Sequence, residues 1–351
     1  MTSTLLKGVP ASVSLLALIT ETEEDKMTST LLKGALASLS LFALTTPAIA
    51  QEATAMSTGR TDHQLIYEVI EEGLIALGYE NGEMLTGNYP AIHLSIGQGD
   101  ADYTAVHWKP LHNEFYANAG GDDALVRAGP MYTNAMQAYF IDKATADKYG
   151  ITALEQMKDP AIKALFDTDG DGKANLTGCN PGWGCEKVIE HHLDAYELRD
   201  HVNNDKGEYF ALMADTIARY NAGEPIFYST WAPNWIMGTL QEGRDVVWLN
   251  APFSSLPGDQ GSDTEWADGR NPGFGVNDNY ILANREFSEA NPVAMAFMNG
   301  LRIPVPDLSA MMTRMNNGED SPEELEQIAK DWIADRRAEW DALIAQAKAA
   351  Q

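Results

Sequence analysis

At 351 residues, 44% of them hydrophobic, the chain can form two domains of ordinary size and bury substantial cores, which excludes a disordered or fibrous protein. Its formal charge of −27 excludes nucleic acid and anionic membrane surfaces as partners, because phosphate binding needs clustered Lys and Arg. So acidic a surface reads first as a solubility device, one that suits salty surroundings.

The N-terminus repeats itself: "MTSTLLKGVPASVSLLALIT" at 1–20 returns as "MTSTLLKGALASLSLFALTT" at 27–46 and never again. This is a duplicated leader and not a solenoid. In the second copy Lys33 precedes an apolar run from Ala35 to Leu44, and Ala48-Ile49-Ala50 follows it, which reads as a secretory signal over 27–50 cleaved before Gln51. Residues 1–26 carry no such site and read as an upstream duplication or a misplaced start. The product is expected in an exported compartment, and there Cys179 and Cys185, the two cysteines of the chain, are expected to form a disulfide.

Leu65, Ile66, Val69, Ile70, Leu74 and Leu77 predict a helix over 62–78, closed by Gly78. Strands are expected at 101–108 and 136–142, and helices at 144–149 and 152–166. The Asp/Gly-rich stretch "FDTDGDGKANLTG" then leads to the loop "CNPGWGC". A helix follows from about 185 to 200, and another at 207–221. "PIFYSTW" (225–231), "DVVWLN" (245–250) and "NDNYILAN" (277–284) read as strands, and the tail is helical from Ser321, where Ser321 and Glu324 form a capping box. Strands alternating with helices predict an α/β protein, with two lobes and ligands in the crevice beyond the strand ends.

Two strand ends carry one pattern. "AVHWKPLH" and "FYSTWAPNW" each end a strand on a tryptophan, Trp108 and Trp231, with a proline two residues on that turns the chain away. Trp183 lies in the cysteine loop just before a helix. The remaining tryptophans, Trp235, Trp248, Trp266, Trp332 and Trp340, read as packing residues. Three indole faces suit a quaternary ammonium, which cannot donate a hydrogen bond and spreads its charge over methyl groups. Gly182-Trp183-Gly184-Cys185 leads into the next helix, whose first backbone N–H groups suit a carboxylate, and His112 adds a side-chain donor. A small zwitterion would be held at both ends.

"FDTDGDGKANLTGCNPGWGCE", "YSTWAPNW", "DVVWLNAPFSSLPGD" and "AVHWKPLH" closely resemble the periplasmic glycine betaine/proline betaine-binding proteins of ProU-type ABC importers, from about residue 62 to the C-terminus. The resemblance implies a two-lobed binding-protein fold with a hinge and a cleft between the lobes, with 51–138 and 275–351 in lobe I and 139–274 in lobe II. It implies a cage of Trp108, Trp183 and Trp231 around the trimethylammonium group, with His112 and the amides of Gly184 and Cys185 on the carboxylate. It also implies a periplasmic monomer that hands its ligand to an inner-membrane ABC permease for osmoprotectant uptake. "EATAMSTGRTD" and "MLTGNYPAIHLSIGQGD", both in the first lobe, depart from the family pattern.

Other readings are narrower. Choline, carnitine or dimethylsulfoniopropionate are alternative ligands, the expected carboxylate contact discriminating against choline. Asp167, Asp169, Asp171 and Asn175 occupy positions one, three, five and nine of a calcium loop, yet Gly178 stands at twelve, where a bidentate Glu is wanted. That stretch reads chiefly as an Asp/Gly turn, with a calcium-dependent structural module as the competing possibility. No glycine-rich phosphate loop and no catalytic carboxylate pair is visible, and a disulfide would occupy the one candidate nucleophile, Cys185; no enzyme activity and no cofactor are expected.

Overall fold

The computed structural model describes residues 51–258 and 263–350; the expected leader at 1–26 and signal at 27–50 lie outside the described residues. One mixed sheet of seven strands organises the molecule, in the order 103–109, 277–284, 125–142, 227–232, 174–177, 202–205, with 246–248 also against 125–142. Its spine is the 18-residue strand Leu125–Asp142. The first part of that strand, Leu125 to Ala135, pairs antiparallel with Asn277–Asn284, which pairs in turn with Tyr103–Lys109. The second part, from Met136 onward, pairs antiparallel with Phe227–Ala232 and Val246–Trp248. The spine therefore changes partners between Ala135 and Met136, and the sheet divides there into two halves, each flanked by its own helices. This is the mixed α/β, two-lobed architecture that the alternation of elements predicts.

The spine is longer than its sequence suggests. Only 136–142 reads as a strand, because Gly129 and Pro130 look like breakers. The ladder accommodates them by an irregularity: it passes from Ala128 opposite Ile281 to Tyr132 opposite Asn279, so Pro130 sits where no N–H is required. Gly129 supplies the positive φ of 117° at that point.

Several predicted elements hold, with shifted ends. The first helix is Thr61–Ala76 and buries Leu65, Ile66, Val69, Ile70 and Leu74, chiefly on the side of the helix Pro322–Asp335. The helix expected over 152–166 is instead a 3₁₀ turn, Leu154–Lys158, and a four-residue helix, Pro160–Lys163. Pro160 holds Asp159 in extended backbone, so the chain must restart, and Asp159 caps the new start. The helix after the cysteine loop is Gly184–Ala195 and stops short of 200, because Glu197 takes a left-handed φ of 56° and Leu198 N–H closes back on the Leu193 carbonyl at 2.8 Å. The tail forms two helices, Pro322–Asp335 and Arg337–Lys348, the first opened by the expected Ser321/Glu324 capping box. Helices at Tyr89–Gln98, Pro292–Gly300 and Val305–Asn316 add to those expected. No helix of the described residues is long and apolar enough to cross a membrane.

Candidate functional site

Trp108 and Trp231 stand at the ends of strands on opposite halves of the sheet. After Trp108 the chain turns through Pro110, and two hydrogen bonds close the turn: His112 N–H donates to the Trp108 carbonyl at 2.7 Å, and Trp108 N–H donates to His112 Nδ1 at 3.2 Å. Leu111 N–H donates to Asn277 Oδ1 at 2.9 Å, which ties the turn to the neighbouring strand. Trp231 lies over Tyr209 with ring centroids 4.6 Å apart.

The cysteine loop supplies the third indole. Cys179 and Cys185 form the expected disulfide, Cα to Cα 6.1 Å, and Asn180 Oδ1 accepts from Tyr209 N–H at 2.8 Å, so the loop is pinned at two points. Gly182 takes a φ of +85°, which turns the chain into Trp183. Trp183 is the cap residue of helix Gly184–Ala195 but makes no side-chain capping bond. Its ring meets Trp231 at 5.9 Å and 70°, and Tyr89, from the other half of the molecule, at 5.7 Å and 82°. The two glycines of the loop differ in purpose. Gly182 faces open space, so its requirement is conformational, whereas a Cβ on Gly184 would lie 2.6 Å from Leu111 Cγ. The close approach at Gly184 is thus between the helix start and the turn that carries Trp108 and His112.

Trp108, Trp183, Trp231, His112, Gly184 and Cys185 all line one cleft of about 330 Å³, counted out to its open mouth. The first amides of a helix have no intrahelical acceptor, so Gly184 and Cys185 offer N–H groups there. His112 offers a donor for a definite reason. Its Nδ1 accepts from Trp108 N–H, and burial, reinforced by His93, holds its pKa well below the ordinary histidine value. The ring is neutral, and the Trp108 N–H contact assigns its proton to Nε2. The cleft therefore joins aromatic faces to neutral hydrogen-bond donors, an arrangement for a zwitterion.

His93 and His107 lie behind His112, and nothing in their spacing marks the three as a group. All three are buried, with ligand-capable atoms within 4.8 Å. Their hydrogen bonds form one directed relay: Arg127 Nε donates to His107 Nε2 at 2.9 Å, His107 Nδ1 to His93 Nε2 at 2.8 Å, and His93 Nδ1 to the Tyr89 carbonyl at 2.7 Å. Both nitrogens of both rings are thereby used, which makes the group a neutral scaffold for the turn.

A pH dependence follows. Burial, ahead of every other cause, depresses the pKa of His63 to about 3, of His93 to about 4 and of His192 to about 3, and lowers those of His107 and His112. Their unfolded values lie near ~6.5, so below that pH the unfolded chain binds protons that the native chain refuses. The stability they contribute is complete above ~6.5 and is lost as pH falls toward the folded values. Glu71, raised to about 7 by burial and then by Glu68, acts in the opposite sense, as do Glu68, Asp102 and Asp205, which burial also raises; five depressed histidines set the expected direction against them. Denaturant melts are expected to show a level midpoint above about pH 7 and a falling one below ~6.5, with net proton uptake on unfolding; a midpoint that rises on acidification would contradict this.

Asp167, Asp169 and Asp171 each bring a carboxylate oxygen within 4.8 Å of the others, and the same side chains accept backbone N–H groups of the loop. Asp167 accepts from Gly170 and Gly172 N–H at 2.7 and 2.9 Å, Asp171 accepts from Lys173 N–H at 2.9 Å, and Asn175 Oδ1 accepts from Thr168 N–H at 2.8 Å. Asp169 accepts from Asp171 N–H at 3.2 Å. Position twelve is Gly178, where the bidentate glutamate of a calcium loop is missing and an added Cβ would meet Asn204 Oδ1 at 1.8 Å, so a larger residue there requires that side chain to move. The geometry is that of an Asp/Gly turn delivering the chain to Cys179.

Five further residues line the cleft and were not anticipated: Arg60, His63, Tyr89, Leu111 and Gln137. Arg60 and Tyr89 fall in the two segments that depart from the family pattern. Of the tryptophans read as packing, Trp248 and Trp266 hold Arg270 between them at 4.8 and 4.9 Å, and Trp340 packs on Phe297.

Comparison with known proteins matches residues 55–335 to the substrate-binding domain of ABC-type glycine betaine transport systems. The glycine betaine-binding periplasmic protein OusX of Dickeya dadantii is 47% identical over 283 residues, 80% of this chain and 85% of that protein. The glycine betaine/proline betaine-binding periplasmic protein of Escherichia coli K12 is 45% identical over 283 residues, 81% and 86% of the two chains. Among solved structures, lactococcal OpuAC, closed on glycine betaine, matches with a TM-score of 0.65 at 17% identity, covering 84% of this chain and 99% of that one. A choline-binding protein of an ABC transporter matches equally well, TM-score 0.65 at 18% identity over 85% and 97%.

Proposed function

The chain belongs to the family of substrate-binding domains of ABC-type glycine betaine transport systems, and from that premise we propose that it captures glycine betaine or proline betaine in the cleft between its two halves. The observation that carries the reading is the meeting, in one cleft, of Trp108, Trp183 and Trp231 with the N–H groups of Gly184 and Cys185 and the Nε2–H of His112. The indoles take the quaternary ammonium, each desolvated face contributing roughly 0.5–2 kcal/mol. The helix-start amides and His112 take the carboxylate. No covalent step is involved, so the protein acts as a receptor and not as an enzyme.

The lobe boundary proposed near 138 is supported by the change of partners along the spine strand between Ala135 and Met136. The indoles are buried with the halves in this arrangement, and a shape closed on the ligand is one that an ABC permease in the inner membrane can recognise. The periplasmic relatives and the secretory signal read at 27–50 support a periplasmic location.

Calorimetric titration with a panel of methylated amines tests the proposal. Glycine betaine and proline betaine are expected to bind in the micromolar range, ~8 kcal/mol, and choline, which has no carboxylate, far more weakly. Choline binding as tightly as glycine betaine would remove the carboxylate assignment, and no heat with any betaine would remove the function.

A further inference from the structure

Arg60 caps helix Thr61–Ala76 on the first half of the molecule, yet its guanidinium reaches the aromatic wall of the second. Its Cζ lies 4.9 Å from the ring centroid of Trp183, 5.2 Å from that of Trp231 and 4.9 Å from that of Phe210. Nε donates to Asp62 Oδ1 at 2.9 Å and Nη2 donates to Asp62 Oδ2, while Nη1 has only a long contact, 3.5 Å, with the Tyr89 hydroxyl. The pair is deeply buried, at 10% and 3% exposure. A guanidinium is flat, weakly hydrated and well matched to indole faces. A quaternary ammonium uses the same faces for the same reason. Two cations at that spacing repel each other, so both cannot occupy the box together.

Resting on the assignment of the tryptophans to the ligand's ammonium, we infer that Arg60 sets affinity and specificity by occupying the Trp183 and Trp231 faces in the ligand-free protein and exchanging with the ligand's cation on binding. Asp62 is fixed at the start of the same helix and remains as a carboxylate beside the box when the guanidinium swings away. Binding is then a competition between two cations. The apparent dissociation constant exceeds the intrinsic one by the reciprocal of the fraction of molecules with the faces free. Fully methylated ammonium ions, which shed little water, displace the guanidinium, whereas primary amines, which keep theirs, do not. The site rejects ordinary amino acids by a resident competitor as well as by its shape.

Calorimetry of glycine betaine binding to the wild-type protein, Arg60→Met and Arg60→Lys tests this. Arg60→Met is expected to lower Kd by about tenfold, the worth of one to two released cation–aromatic contacts. Arg60→Lys keeps a charge opposite Asp62, so it guards against loss of fold, but lacks the flat face; it is expected to fall between the other two. Weaker binding by Arg60→Met would show that the guanidinium holds the ligand, and would overturn the exchange. Should Arg60→Met fail to fold, Arg60→Lys binding no more tightly than wild type overturns it too. If wild type binds and Arg60→Met binds equally, the exchange alone is wrong; if neither binds any betaine, the site reading fails and this inference with it.

Discussion

Trp183→Ala is expected to raise the Kd for glycine betaine by roughly tenfold or more in calorimetric titration, with the protein still folded. The substitution removes one desolvated indole face from the box. It also removes the edge contact of that ring with Trp231 on the same half and its edge contact with Tyr89, through which the two halves meet across the cleft. The donor side of the site should survive, because the disulfide and the Asn180–Tyr209 bond hold the loop independently of the indole. Trp183→Phe, which restores a smaller face, is expected to recover part of the loss. The measured effect will be net of the contact that the same ring makes with Arg60. Unchanged affinity would remove Trp183 from the box.

A larger loss is expected at a residue with no side chain. At Gly184 an added Cβ would lie 2.6 Å from Leu111 Cγ and 3.1 and 3.2 Å from its two methyls. Leu111 is buried between Trp108 and His112 in sequence, so pushing it aside displaces an indole and the histidine donor together. Overpacking of this kind costs about 1–3 kcal/mol, which is roughly 5- to 150-fold in Kd if the strain is relieved by holding the halves apart. Gly184→Ala is therefore expected to bind glycine betaine within that range of weakening, and Gly184→Val not measurably. Thermal stability should not fall in parallel, since alanine favours the helix that begins there. The Gly184→Ala, Leu111→Ala double variant should regain affinity over the single variant. If it does not, the contact is not what limits binding.

Much of the site was legible before the fold was known. Strand-ending tryptophans followed by prolines and a cysteine-closed Gly-Trp-Gly all have a local meaning, and the structure brings those residues to one cleft. Arg60 had no such mark. An arginine two residues before an aspartate, at the head of a helix, reads as an exposed ion pair; its burial against Trp183 and Phe210 comes from the other half of the molecule. Gln137 and Tyr89 were hidden for a similar reason, since only the register opposite Trp231 and the placing of helix Tyr89–Gln98 turn them toward the cleft. The helix expected over 152–166 failed at Pro160, where the local rule outweighed the apolar spacing around it. The spine strand failed in the opposite sense. A Gly-Pro pair that ends most strands was absorbed by a shift in the ladder, which no local rule reports.

That spine has a mechanical meaning. Because one continuous ribbon from Leu125 to Asp142 serves as backbone to both halves, opening the protein is not the parting of two bodies on a loose tether. It is the bending of a leaf spring whose two ends are clamped by different neighbours, and the compliant point is the short interval around Asn134, where the clamps change over and the backbone carries a φ of 60°. A spring of that kind has a preferred angle of its own and a restoring force about it. On the proposed reading, ligand capture works against the stiffness of this one strand, at the interval where its neighbours change.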